Sequence, residues 1–318
     1  MKGNDKLNTD LLSKSNDKSK SNDINQPIKY SPLNITDIIK EQSFFPLSKS
    51  LLTFKFEKYE NTRYSTKSLN LIKSFAANTH QGVVRKYNED RVSIILNIVK
   101  PSSYKGSYWP SCSFFGVFDG HGGNKCADYL KDNLHNFIIK SPYFPKNPTK
   151  AITEGFQNCD EEFISNHALG PNNIVADRSG SCAIVVMIID KQIFVANTGD
   201  SRAIMCVSDG LTVLSNDHKP NNENERKRIL DEGGKIYQTQ TQAKNFNIKL
   251  EGIDPEQVLL GPFRVFPGRL SVSRSFGDVE AKLPMFNGNP NILISTPEIK
   301  VYDVNSNLEW MLLACKIS

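Results

Sequence analysis

Residues Phe114 to Gly123 read F-F-G-V-F-D-G-H-G-G, an apolar run that stops at a carboxylate, a glycine, an imidazole and two more glycines. The run is short and rich in aromatic residues, which predicts a strand buried on both faces rather than a helix. Asp119 then falls at the strand end, where a rigid element can aim it. Gly120, Gly122 and Gly123 allow a ligand or another backbone to come close. His121 adds a group that exchanges protons near neutral pH. The plain alternative is turn chemistry, a D-G and H-G-G link from a strand to a helix. What separates the two lies elsewhere in the chain.

Upstream, R-K-Y-N-E-D-R places Arg85, Glu89 and Asp90 close together, ahead of a strand predicted at Val92 to Ile98. Neighbouring residues on extended chain point to opposite sides, so Glu89 and Asp90 are expected to do different jobs. A solvated charged turn is the bland reading of the same residues. Downstream, Ala127, Leu130, Leu134 and Phe137 recur at helical spacing, as do Ile152, Phe156, Cys159 and Phe163, with Thr149 as a candidate cap.

A meander follows. Ala183–Ile189 and Gln192–Asn197 are predicted to pair across Asp190–Lys191, and Ala203–Val207 and Leu211–Leu214 across a Ser-Asp-Gly turn. Between the pairs, T-G-D-S-R puts Asp200 in a tight turn. Asn222 to Glu232 reads as a polar helix stopped by Gly233–Gly234. Residues 236–263, rich in Gln and Asn, read as an irregular insertion. Further strands are predicted at Ile292–Ser295, Ile299–Tyr302 and Leu308–Cys315. This order of elements predicts an α+β sandwich rather than a βαβ winding.

Composition narrows the function classes. Residues 1–75 hold 13 Lys/Arg against 8 Asp/Glu, and of the chain's 39 basic and 34 acidic residues that leaves 26 of each sign. A neutral body argues against nucleic-acid binding. Residues 1–32 are Asn, Lys, Ser and Asp with few large apolar side chains, which predicts a disordered tail. Residues 33–73 read as a folded extension or a docking segment, and residues 74–318 as the main domain. The six cysteines have no C-x-x-C pairing and read as reduced core residues of an intracellular protein. The longest purely apolar run, Ala183 to Ile189, is too short to span a bilayer. The N-terminus lacks a secretory core, so a cytoplasmic or nuclear location is expected. Oligomeric state leaves no mark in the sequence.

Seven motifs then occur in a telling order: R-x-x-N-E-D, F-D-G-H-G-G, G-S-C-A, N-T-G-D-S-R, D-H-K-P (Asp217 to Pro220), E-x-x-R-I followed by G-G, and G-R-L-S-V-S-R-S-F-G-D (Gly268 to Asp278). In this order they resemble the metal-dependent type-2C Ser/Thr protein phosphatases, over roughly residues 74 to 315. The resemblance implies a four-layer α/β/β/α sandwich, two antiparallel sheets flanked by helices. It implies two Mg²⁺ or Mn²⁺ ions, with phosphorylated proteins as substrates and a hydroxide between the ions attacking phosphorus without a phosphoenzyme.

Carried over residue by residue, Asp119 resembles the bridging ligand and Gly120 lends a backbone carbonyl. Glu89 resembles a ligand of the second ion, and Asp90 a holder of its waters. Arg85 resembles the phosphate clamp and His121 the general acid, while Asp200 matches a residue holding a third, weaker ion. Such chemistry suits these residue types: hard ions take oxygen ligands, and arginine matches phosphate with paired N–H donors.

Bland readings stand beside these roles. Arg85 could be a surface charge, and His121 a helix cap. Asp217 and His218 read as turn residues, and Arg274 and Asp278 as support for the fold. Cys182 stands where the family more often has threonine. Lys316 stands where the family has a metal-binding aspartate, and the sequence stops at Ser318. The expectation is a C-terminally shortened phosphatase that lacks its last elements, weakly active or inactive. A non-catalytic phosphoprotein-binding or regulatory module is the alternative.

Overall fold

A computed structural model describes residues 63–65, 69–82, 85–242 and 258–315. The readings for 1–32, for most of 33–73 and for Lys316 fall outside them. A short ribbon of β1 (Arg63–Ser65) and β2 (Phe75–Ala77) comes first. The opening stretch forms β4 (Cys112–His121), which lies between β3 (Arg91–Ile95) and β5 (Gly180–Ile189). Together with β6 (Gln192–Thr198), β11 (Phe276–Gly277) and β12 (Glu298–Asp303) they build a six-stranded antiparallel sheet, in the order β12-β6-β5-β4-β3 with β11 on β5.

Strand pleating divides β4 between two cores. Cys112, Phe114 and Phe118 are fully buried on one face, under α1 (Lys125–Lys140) and α2 (Pro148–Phe163). Phe115 and Val117 pack on the other, against Ile184, Val186 and Val195. Every residue of β5 is buried, as a strand covered on both sides requires. The two helices meet closely at Gly155, where a Cβ would lie 2.6 Å from Ile138 Cγ1 and 2.8 Å from its Cα. Helix α2 is capped by Asn147, which accepts a 3.1 Å bond from the Lys150 N–H, with Pro148 at the first position; Thr149 is already inside the helix.

The second core lies between this sheet and a three-stranded one, β13-β7-β8, made of β7 (Arg202–Val207), β8 (Gly210–Val213) and β13 (Leu308–Ala314). Ala203, Met205, Met311 and Leu313 face the six-stranded sheet. Leu211, Val213, Trp310 and Leu312 are exposed. The two packed antiparallel sheets and flanking helices are the α+β architecture read from the sequence. Both predicted meander pairs form. Among the described residues no helix is long and apolar enough to cross a membrane.

Three readings are corrected. The described part of the stretch 236–263 is not irregular: β9 (Lys235–Gln242) and β10 (Val258–Phe266) pair as an antiparallel ribbon, with a bulge between Leu260 and Phe263. Main-chain bonds hold it: β9 is polar, and most of the apolar side chains of β10 (Val258, Leu260, Phe263 and Phe266) are exposed, so few buried residues mark either strand. Ile292–Ser295 is not a strand; it makes a single parallel bridge, Arg274 to Ile294. Its apolar residues instead fill a third core with Ile229 of α3 (Glu223–Asp231) and Val265. Cys206 and Cys315 are only half-buried, while Cys112, Cys126, Cys159 and Cys182 are buried; all six cysteines are free thiols.

Beneath the third core lies a buried ionic knot. Glu225 accepts bonds from Arg274 (2.6 Å), Arg228 (2.8 Å) and the Ser273 hydroxyl (2.7 Å). Burial alone would raise its pKa, but the two guanidinium groups outweigh burial and bring it down to about 2. Arg274 thus supports the fold, as its plain reading held.

Candidate active site

The pleat that buries Phe118 turns Asp119 and His121 toward the inter-sheet side and Gly120 toward α1. Gly120 is required there by close approach: a Cβ would lie 2.3 Å from the Glu89 carbonyl oxygen and 3.1 Å from the Ala127 Cβ. Gly122 and Gly123 follow with φ of +67° and +133°, turning the chain into α1. That turn aims the Gly123 N–H at Glu89 Oε1, 2.7 Å away. One residue on, Asp90 takes a bond from the Cys315 thiol at 3.2 Å, so the adjacent carboxylates do have different partners. Arg85, with a side chain 62% exposed, stands at the edge with Nη1 3.9 Å from Glu89 Oε2.

His121 Nε2 lies 2.9 and 3.1 Å from the two oxygens of Asp278, which also accepts a 2.6 Å bond from the Ser275 hydroxyl. Burial opposes a charge on the imidazole, but Asp278, Asp119 and Glu89 outweigh it and raise its pKa. Asp278 is a partner that the plain reading, fold support alone, missed. The pair can meet only because residue 180 is glycine: a Cβ there would lie 2.2 Å from Asp278 Oδ2 and 2.5 Å from His121 Nε2. Gly180→Ala is therefore expected to part His121 from Asp278 and to lower the pKa of the imidazole, read by NMR titration of that ring. An unchanged titration would show that the contact does not matter.

Asp200 approaches from the neighbouring turn. Its carboxylate is ion-paired with Lys219 and takes a 3.6 Å contact from the Cys182 thiol. Cys182 is the register partner of Asp119, and its thiol is held well above its usual pKa, by burial first and then by the charges of Asp200 and Asp119. Thus Asp119 and Asp200 border the same side chain. Behind them His218 braces the turn: its Nδ1 accepts the Gly199 N–H at 3.1 Å, and burial with nearby Arg274 lowers its pKa to about 4. Asp217 holds Arg202 with bonds of 3.0 and 3.2 Å. Neither lies in the turn expected: both sit in irregular chain just ahead of the Pro220–Asn221 turn that leads into α3.

Glu89, Asp90, Asp119, the Gly120 carbonyl and His121 thus gather at one end of the sandwich, with Arg85 and Asp200 flanking. Among the described residues no three His, Cys, Asp or Glu side chains form a group that could enclose an ion by themselves. The donor set nonetheless fits a hydrated hard cation, since Mg²⁺ keeps several waters and takes one or two carboxylates. A charge imbalance supports that fit: burial first, and then the charge of Glu89, raise the pKa of Asp90 despite the Cys315 bond and nearby Arg85 and Arg91.

An α+β sandwich of two antiparallel sheets, with an oxygen-rich anionic site where the sheets end, defines the class. Residues 76–316 match the model of the family described as "Protein phosphatase 2C", and the chain belongs to that family. It is 34% identical over 200 residues to the Arabidopsis thaliana protein "Probable protein phosphatase 2C 59", covering 63% of this chain and 53% of that one. It is 37% identical over 202 residues to "Probable protein phosphatase 2C 11" of the same plant, covering 64% of this chain and 45% of the relative. The chain therefore spans about half the length of these curated relatives. Among solved structures, a serine-threonine phosphatase 2C from Toxoplasma gondii aligns with a TM-score of 0.50 at 22% identity, covering 72% of this chain and 73% of that one. A C. elegans sex determining protein aligns with a TM-score of 0.51 at 21% identity, covering 88% and 57%. Both are likenesses of fold.

Proposed function

We propose that this chain is a protein phosphatase that hydrolyses phosphoserine and phosphothreonine with the help of Mg²⁺ or Mn²⁺. The observation that carries this reading is the surplus of carboxylates at the end of β4, beside an imidazole held by a carboxylate of its own. Glu89, Asp119 and the Gly120 carbonyl would hold the ions, with Asp90 orienting their waters and Asp200 on the flank. Such ions supply Lewis acidity toward the phosphoryl oxygens and an activated water.

The chain's own groups do the rest. Arg85 binds the phosphoryl oxygens through its paired N–H donors and orients phosphorus. Water attacks phosphorus, the bond to the seryl or threonyl oxygen breaks, and that oxygen takes a proton, while the phosphate formed keeps the water's protons until the acid recovers one of them. His121 supplies it: Nε2 is engaged by Asp278, which leaves Nδ1 as the donating atom. Asp278 keeps the ring oriented and favours its charged form. No side chain needs to become a nucleophile.

The test is hydrolysis of a phosphothreonine peptide with Mn²⁺, with EDTA, and with Mn²⁺ restored. The expected result is turnover that needs the ion and returns with it. A peptide that binds but is never hydrolysed would sink the reading in favour of a non-catalytic binding module. Under the same reading, Arg85→Ala is expected to raise KM about tenfold and to lower kcat less, because the clamp acts on ground-state phosphate. Steady-state kinetics decide it, and an unchanged KM would remove Arg85 from the phosphate.

A further inference from the structure

The guanidinium of Arg91, the first residue of β3, makes four hydrogen bonds that the roles above do not use. Nε and Nη2 hold both oxygens of Asp128 on α1, at 2.5 and 3.1 Å. Nη1 donates to the carbonyl of Asn88 at 2.9 Å and to that of Asp90 at 2.8 Å. These two carbonyls flank Glu89, whose own carbonyl lies against Gly120. The segment is closed from within as well: the Asp90 N–H donates to Asn88 Oδ1 at 2.9 Å, and Asn88 Nδ2 donates to Thr79 Oγ1 at 2.8 Å. Asp128 is braced in turn by Asn124 Nδ2 at 3.0 Å.

We propose that Arg91 and Asp128 form a clamp that fixes the backbone of Asn88–Asp90 on α1, and so presents the Glu89 and Asp90 carboxylates to the ion in binding-ready form. This deepens the phosphatase reading and rests on it. The pair is partly exposed, with side-chain exposures of 23% and 38%, so as an ion pair it adds little to stability. Its value is geometric. Helix α1 begins immediately after the Gly122–Gly123 turn, so a tie from α1 to Asn88–Asp90 sets the distance between Glu89 and Asp119. Lysine cannot replace it, because one ammonium cannot satisfy a carboxylate and two carbonyls from the positions that the planar fork reaches. Arg91 and Asp128 are positioning residues: neither is asked to touch the phosphate.

Mn²⁺ affinity, measured by calorimetry on wild type, Arg91→Ala, Arg91→Lys, Asp128→Asn, Asp128→Ala and the double alanine variant, is the test, with melting in EDTA as the control for folding. Outer partners of metal ligands typically contribute 10–100-fold to affinity. Arg91→Ala is expected to weaken Mn²⁺ binding by about that factor, with Arg91→Lys and Asp128→Asn in between. The double variant should bind no more weakly than Arg91→Ala, since both act through one clamp. Melting temperatures in EDTA should stay within a few degrees of wild type. Unchanged affinity in Arg91→Ala and Asp128→Asn overturns the clamp, and so does a loss that only tracks the unfolded fraction. If Arg91→Ala does not fold, Asp128→Asn decides alone. A wild-type chain that binds no Mn²⁺ overturns the phosphatase reading and the clamp together; one that binds it with variants unaffected overturns the clamp only.

Discussion

Asp119→Asn is expected to lower Mn²⁺-dependent phosphopeptide hydrolysis by roughly three orders of magnitude or more, above the 10–100-fold attached to outer partners alone. Asparagine keeps the size of the side chain near the end of β4 and leaves its pairing with Cys182 in place. What changes is the charge. With Asp119 neutral, Glu89 and Asp90 remain, and Asp200 is already matched to Lys219. Loss of the charge should also relieve part of the upward pressure on the His121 pKa, which Asp119 helps to create. Turnover is the readout. Retention of full activity in a folded variant would exclude Asp119 from the site.

The largest expected effect on stability is at Glu225. Glu225→Gln leaves Arg274 and Arg228 without their anion, inside a site where the carboxylate is almost wholly buried. A pKa depressed from 4.5 to about 2 corresponds to roughly 3 kcal/mol, in line with the ~3–5 kcal/mol for breaking a buried ion pair. For a domain of this size that is a fall in Tm of about 6–12 °C.

The sign with pH follows from the depressed pKa. The contribution of Glu225 is complete above its unfolded value of 4.5 and is lost as the pH falls toward about 2. His218 acts earlier. Its pKa falls from 6.5 to about 4, so the unfolded chain binds the extra proton, and stability drops as the pH falls from 6.5 to 4. In the Glu225→Gln variant the step below pH 4.5 should vanish, while the His218 step remains. Thermal melts from pH 7 to pH 3 show both steps. An acid limb identical to that of wild type would contradict the ionic knot.

What the sequence displayed and what it hid differ in range. β4 was legible because a buried strand writes its burial into its residues, but it runs two residues past Asp119, through His121, and only Gly122–Gly123 mark its end. The two meander hairpins were legible from their turns. The β9–β10 ribbon was not, because β9 carries Gln and Thr where a core strand carries Val and Ile, and because Val258, Leu260, Phe263 and Phe266 of β10 are apolar yet exposed. The Ile292–Ser295 run deceived for the opposite reason: its apolar residues are buried in irregular chain.

Within the site, residue types were legible and partnerships were not. His121 and Asp278 are 157 positions apart, and Arg91 and Asp128 are 37 apart; neither spacing carries a local signal. Gly180 reads as one more glycine in G-S-C-A until the carboxylate and imidazole that fill the place of its Cβ are seen. Lys219 was part of a quoted motif, but only the fold puts it on Asp200.

The most direct test of the central claim, that the carboxylates at the end of β4 form a divalent-ion site, is calorimetric titration of the chain and of Asp119→Asn with Mn²⁺. The account predicts saturable binding of at least one ion by the wild-type chain and its loss in Asp119→Asn, with both proteins equally folded in EDTA. No binding by the wild type, or equal binding by the two, would contradict it.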